Sequence, residues 1–137
     1  MQSKKIMIVD DDKDFLMELH SALVLEGFEV VAIDDSTTVL RSAQDINPDI
    51  ILLDIKMKGL YGFQIAERLK GSAKTANIPI LGMSGYFTRK EDAMLMDLCG
   101  MKMCFKKPIN PDHLIKKIDM VLNEKTNQVK RAGEFFK

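Results

Sequence analysis

Three consecutive aspartates at Asp10 to Asp12, an isolated Asp54, Ser84 and the pair Lys106 and Lys107 are the residues of this chain best suited to chemistry. Each stands where an apolar run ends: "KIMIV" precedes Asp10, "DIILL" precedes Asp54, "IPILGM" precedes Ser84 and "KMCF" precedes Lys106. Crowded carboxylates repel one another and favour a hard cation with oxygen ligands, most simply Mg²⁺, which accepts one or two carboxylates and keeps several waters. A divalent ion and a lysine together suit a dianionic phosphoryl group, because both neutralise charge that would otherwise repel a carboxylate nucleophile. An aspartate can be that nucleophile, forming an acyl phosphate, and the Ser84 hydroxyl can then bond a phosphoryl oxygen. Asp12, the third acid, reads as the cap of the helix that follows it rather than as a ligand.

These groups have to be positioned by regular elements. Five apolar runs recur, at 5–9, 29–33, 49–53, 78–83 and 102–105, and between and after them the apolar residues fall at helical spacing. Phe15, Leu16, Leu19, Ala22 and Leu23 form one face, stopped by Gly27. Ser36 is the expected cap of a second helix carrying Val39, Leu40, Ala43 and Ile46, closed by Pro48. A third helix uses Phe63, Ile65, Ala66 and Leu69 and ends near Gly71; "TRKE" at 88–91 is a capping box for a fourth. Asn110 and Pro111 open a fifth, with Leu114, Ile115, Ile118 and Leu122 on its face. Parallel strands need crossover connections, so this alternation predicts a three-layered α/β fold with a doubly wound sheet. In such a sheet the chemical residues meet at one edge, the carboxyl ends of the strands.

Several function classes are disfavoured. The 20 basic and 20 acidic residues cancel, which gives no case for direct nucleic-acid binding. No apolar run reaches the length of a membrane span, and "MQSKKIMIVDDD" lacks a signal peptide's apolar stretch. A nucleotide site would want a glycine-rich turn after the first strand, where "VDDDKDF" offers acids. Cys99 and Cys104 have no CxxC or metal-ligand spacing and read as reduced thiols in a cytoplasmic protein; His20 and His113 stand alone as surface or packing residues.

With these residues set out, the chain resembles the receiver domain of two-component response regulators over residues 4 to about 123. The resemblance rests on Asp10 and Asp11 after "IMIV", Asp54 after "IILL", Gly62 in "GLYGF", Ser84 in "ILGMSG", and Lys107 with Pro108 in "FKKPI". Each motif alone is weak; five in order at these spacings are strong. The resemblance implies a flavodoxin-like (βα)5 sandwich with strand order 2-1-3-4-5. It implies that Asp54 accepts a phosphoryl group from a sensor histidine kinase or phosphotransfer protein. Asp10, Asp11, Asp54 and the backbone carbonyl of Lys56 would hold Mg²⁺, Lys107 would pair with the phosphoryl group, and the peptide bond between Lys107 and Pro108 is often cis in such domains. Ser84 would move toward that group and draw the following loop with it, switching a partner-binding face. Such a domain catalyses its own phosphotransfer and dephosphorylation without being an enzyme on a separate substrate.

The chain also departs from that pattern. Met57 is followed by Lys58 where proline is common, and Tyr61 precedes Gly62 where an acid or amide is common. Cys104, three residues before Lys107, occupies the place of an aromatic that turns inward on activation. Lys56 and Tyr86 flank the acceptor and are expected to set how long the phosphorylated state lasts, the ammonium lying near the phosphoryl group and the ring limiting water.

Residues 124–137, four basic and two acidic, are expected to form a tail, helix extension or linker beyond a domain of residues 1–123. Ile115, Ile118, Leu122, Val129 and Phe136 share a heptad-like stripe that would suit a phosphorylation-linked dimer, but Gly133 interrupts it and a flexible tail is favoured. Stand-alone receiver and N-terminal piece of a longer protein both fit, with an unknown output partner or domain. Two other functions compete. One is a pseudo-receiver that binds partners without phosphorylation; the other is a Mg²⁺-dependent aspartyl phosphatase, which would want a second acid where Ile55 and Lys56 stand.

Overall fold

The structure, a computed structural model, describes residues 3–56, 62–85 and 100–135, with side chains through residue 124. Its elements in chain order are β1 (Lys5–Val9), α1 (Lys13–Leu25), β2 (Glu29–Ile33), a 3-10 turn (Ser36–Thr38), α2 (Val39–Ile46), β3 (Ile50–Asp54), α3 (Gly62–Lys70), β4 (Ile80–Ser84), β5 (Met101–Lys106) and α4 (Pro111–Phe135). The helix expected to open at Thr88, together with Cys99 and the loop residues Met57 to Tyr61, lies outside the described residues.

The strands form one parallel sheet in the order β2-β1-β3-β4-β5, the doubly wound order that the resemblance implied. Its layers follow from the two-residue period of strands. Met7, Val9, Ile51 and Leu53 pack on one face with Val39 and Ala43 of α2 and Ile65, Ala66 and Leu69 of α3. The alternate residues Ile6, Ile8, Ile50 and Leu52 pack on the other with Leu16, Leu19 and Leu23 of α1 and Leu114 and Ile118 of α4. A central parallel strand covered on both faces should be apolar without alternation, and β3 is buried at every position. At about 1.5–3 kcal/mol for each fully buried aliphatic, this double layer is the main stabilising term.

Local signals set the ends of the elements. Asp12 caps α1, its carboxylate accepting from the Asp14 and Phe15 amides. At the other end Gly27 takes φ of 97°, which lets its amide reach the Val24 carbonyl and the Phe28 amide reach the Leu23 carbonyl, turning the chain into β2. The expected cap Ser36 is corrected by one residue. The Asp35 carboxylate accepts from the Thr37 amide and opens the 3-10 turn, and α2 starts at Val39. Asn47 closes α2 in the left-handed region, as suits an asparagine before Pro48, a residue that disfavours right-handed helix ahead of it. Asn110 caps α4 through its side-chain oxygen.

Strand boundaries also shift. β4 begins at Ile80, not Ile78, since Pro79 has no amide for the ladder. Asp54 and Ser84 are the last residues of their strands rather than the first beyond them. The backbone of α4 continues to Phe135, where a flexible tail was favoured. Glu, Lys, Gln, Arg and Ala are good helix formers, and Gly133 falls in the last turn, where its cost is small.

Candidate functional site

Strand order decides which polar residues meet. β1 and β3 are neighbours, and their last apolar residues, Val9 and Leu53, are aligned, so Asp10 and Asp54 emerge side by side. One ligand oxygen each from Asp10, Asp11 and Asp54 lies within 4.8 Å of the others. Asp10 is fully buried and Asp54 is 5% exposed, whereas Asp11 faces solvent. β5 supplies the counter-charge. The Lys107 amide donates to the Ser84 carbonyl at 2.8 Å, the bond from Lys107 to Pro108 is cis, and the ammonium donates to Asp10 Oδ2. It also stands 3.7 Å from Asp54 Oδ2.

The backbone shapes the same corner. Asp10 Oδ1 accepts from the Asp12 amide at 3.0 Å, and Asp54 Oδ1 accepts from the Lys56 amide at 3.0 Å. The Ile55 amide bonds the Met83 carbonyl, and the Gly62 amide bonds the Ile55 carbonyl at 2.9 Å. A Cβ on Gly62 would stand 2.5 Å from the Asp54 carbonyl oxygen, so only glycine lets α3 start against the chain that follows the acid.

Electrostatics reflects the crowding. Burial pushes the Asp54 carboxyl up to about 6; the Lys56 amide opposes this, Asp10 raises it further, and Lys107 pulls it down. Two buried carboxylates and one exposed one, all oxygen donors, fit a single hard cation reached from solvent on the Asp11 side. Their spread is comparable with the roughly 4 Å between opposite oxygens of a six-coordinate Mg²⁺.

The sequence-predicted residues thus divide. Asp10, Asp11, Asp54 and Lys107 come together. Ser84 is fully buried at the end of β4, one position beyond Met83, which aligns with Asp54. Lys56 sits beside Asp54 with its side chain exposed, and Tyr86 lies outside the described residues. Asp12 is the helix cap, as expected. Cys104 packs against the cluster under α2 and α3, whereas Phe105 is buried in the opposite cluster with His113 edge-on at 5.9 Å. The two therefore face opposite sides of the sheet, and Phe105 is not placed where an aromatic at 104 would be.

One residue beside the cluster carries no sign of that place in the sequence. Lys107 Nζ lies 4.3 Å from the centroid of the Phe15 ring. In the sequence Phe15 is merely one apolar member of the α1 face; the signal available was its place in the first turn after the acids.

Comparisons with known proteins agree with this geometry. The family model for the response regulator receiver domain matches residues 6–119. Protein PilH of Pseudomonas aeruginosa is 30% identical over 118 residues, covering 86% of this chain and 97% of that protein. The CAI-1 autoinducer sensor kinase/phosphatase CqsS of Vibrio cholerae is 32% identical over 118 residues, and there the chain spans 17% of the relative's length. Among solved structures, a CheY-like response regulator receiver domain protein from Methanospirillum hungatei JF-1 superposes with a TM-score of 0.86 at 26% identity, covering 93% of this chain and 99% of that one. A matched family profile over most of the chain, the shared sheet order and the gathered acids lead to one assignment: the chain belongs to the response regulator receiver family of two-component signalling.

Proposed function

We propose that the chain is a phosphorylatable switch in which Asp54 takes a phosphoryl group from a histidine kinase or phosphotransfer protein in the cytoplasm. The observation that carries this reading is the gathering of Asp10, Asp11, Asp54 and Lys107 at the end of the buried strand β3. Asp10, Asp11, Asp54 and the Lys56 carbonyl would hold Mg²⁺, which supplies charge neutralisation for a dianionic phosphoryl group. Asp54 attacks in line: the phosphorus–nitrogen bond of the donor histidine breaks, a phosphorus–oxygen bond forms to the carboxylate, and the electron pair goes to the departing imidazole nitrogen, which takes a proton from solvent. The Lys56 amide holds the carboxylate in place through Oδ1. Lys107, already between Asp10 and Asp54, exchanges its bond to Asp10 for one to the phosphoryl group. The Ser84 hydroxyl bonds a phosphoryl oxygen and transmits the change to the residues after β4.

Self-catalysed loss of the group to water returns the switch, with Lys56 and Tyr86 setting its lifetime. If Lys56→Ala leaves the half-life of the acyl phosphate unchanged, the lysine has no such part. Residues 1–123 form the phosphoacceptor unit and 124–137 extend it toward an output partner or domain.

The central test is intact mass. With Mg²⁺ and a small acyl phosphate the protein is expected to gain one phosphoryl group, and Asp54→Asn to gain none. A wild-type chain that takes no group from either a small donor or a phosphohistidine protein refutes the reading.

A further inference from the structure

We infer that Phe15 is a positioning residue for Lys107: its ring holds the lysine ammonium at the rim of the carboxylate cluster, from which the lysine passes to a phosphoryl group on Asp54. The inference rests on the phosphoacceptor reading above and adds a residue to it.

Four contacts close a circuit around the site. Asp10 Oδ1 accepts from the Asp12 amide at 3.0 Å, and Asp12 Oδ1 accepts from the Phe15 amide at 3.2 Å. The Phe15 ring lies under Lys107 Nζ at 4.3 Å from its centroid, and that ammonium donates to Asp10 Oδ2. The helix cap therefore does more than start α1. By fixing the amide of Phe15 it fixes where the ring stands relative to Asp10.

The ring packs only at the margin of the core. Leu16, Leu19 and Leu23 are the buried members of the α1 face, at 5%, 6% and 0% exposed, while Phe15 is only half-buried beside them. What an aromatic offers that an aliphatic does not is a negative face toward the cation. The Lys107 side chain is 21% exposed, so the ring also replaces part of its water shell. An ammonium held on one side by carboxylates and on the other by a ring has little distance to travel and little water to lose when its oxygen partner changes. Without the ring, Lys107 has a long flexible stem and an open solvent side.

The test compares Phe15→Leu, which keeps apolar bulk, with Phe15→Tyr, which keeps the aromatic face. A cation–π contact of the usual strength predicts that Phe15→Leu slows phosphorylation of Asp54 by a small acyl phosphate about 2–5-fold, and that Phe15→Tyr restores the wild-type rate. The second readout is the Lys107 side-chain ε-proton resonance, identified by its loss in Lys107→Arg. It is expected upfield of free lysine in wild type and Phe15→Tyr, from the ring current, and near free lysine in Phe15→Leu. A Phe15→Leu protein that reacts at the wild-type rate, a Phe15→Tyr protein as slow as Phe15→Leu, or an unshifted Lys107 resonance in wild type overturns the inference alone. A wild-type protein that takes no phosphoryl group overturns the phosphoacceptor reading, and this inference with it.

Discussion

The two ends of the sheet bury polar groups in opposite ways. At the amino end, between α3 and β4, Lys70 Nζ donates to the carbonyls of Ala76 and Ile78 at 3.1 and 3.2 Å, and the Thr75 hydroxyl donates to the Leu69 carbonyl. Burial, then Lys102, push the Lys70 ammonium down, but backbone dipoles answer it. At the carboxyl end two of the three clustered carboxylates, Asp10 and Asp54, share the ammonium of Lys107, and burial raises Asp54. Hydrogen-bond satisfaction does not separate the two, since no buried side-chain nitrogen or oxygen among the described residues lacks a partner. Charge balance does. The amino end closes a turn and is complete by itself; at the carboxyl end, among the described residues, three carboxylates stand with one ammonium, an excess of negative charge that a hard cation would neutralise.

That contrast can be broken at either end. Lys107→Ala removes the only cation seen on the acid cluster among the described residues, and the rate of Asp54 phosphorylation is expected to fall about 10²-fold, the usual cost of losing one donor to a reacting oxyanion. Rapid-quench sampling with mass detection measures it. Lys70→Met, of similar length, leaves the Ala76 and Ile78 carbonyls without their donor and should cost about 1–3 kcal/mol in denaturant unfolding, with the phosphorylation rate unchanged. Were Lys70→Met to slow phosphorylation as Lys107→Ala does, the division between the ends would be wrong.

Smaller effects sharpen the electrostatic side. Asp54→Asn keeps an oxygen for the Lys56 amide while removing one crowded charge, so the metal-free variant should be about 1 kcal/mol more stable than wild type at pH 7. The advantage should shrink on acidification. Asp54 ionises at about 6 when folded against an ordinary 3.8, so the folded chain binds the proton more tightly. Its contribution to stability is full below the ordinary value and is lost as pH rises through about 6. Metal-free melts of wild type and Asp54→Asn at pH 5 and pH 7 test this; an unchanged or larger gap at pH 5 would contradict it.

The sheet was legible because its signals are redundant. β3 reads as a doubly covered strand from "IILL" alone, and five such runs with helical spacing between them leave few topologies. The acids and Lys107 were legible for the same reason, since in a parallel sheet the residue at a strand's end has a known edge. What escaped depends on contacts between distant segments. Nothing in the spacing of α1 marks Phe15 as a partner of Lys107, 92 positions later, because periodicity reports a face and not what arrives on it. The cap at Asp35, one residue before Ser36, follows from the extended backbone at Asp35, which spacing alone does not specify. The reach of α4 through Gly133 is a summed propensity over many residues, and a single breaker is a poor guide to it.

The placement of Asp54 as the last residue of β3 has a consequence for hydrogen exchange. β3 is flanked by hydrogen-bonded partners on both sides, so its amides belong to the class that exchanges only when the whole domain opens. Two residues on, the Lys56 amide is tied to the acceptor carboxylate itself. A strand of that protected class and an amide whose protection depends on one side chain are thus adjacent, and the exchange rate at Lys56 would report any change at the Asp54 carboxylate.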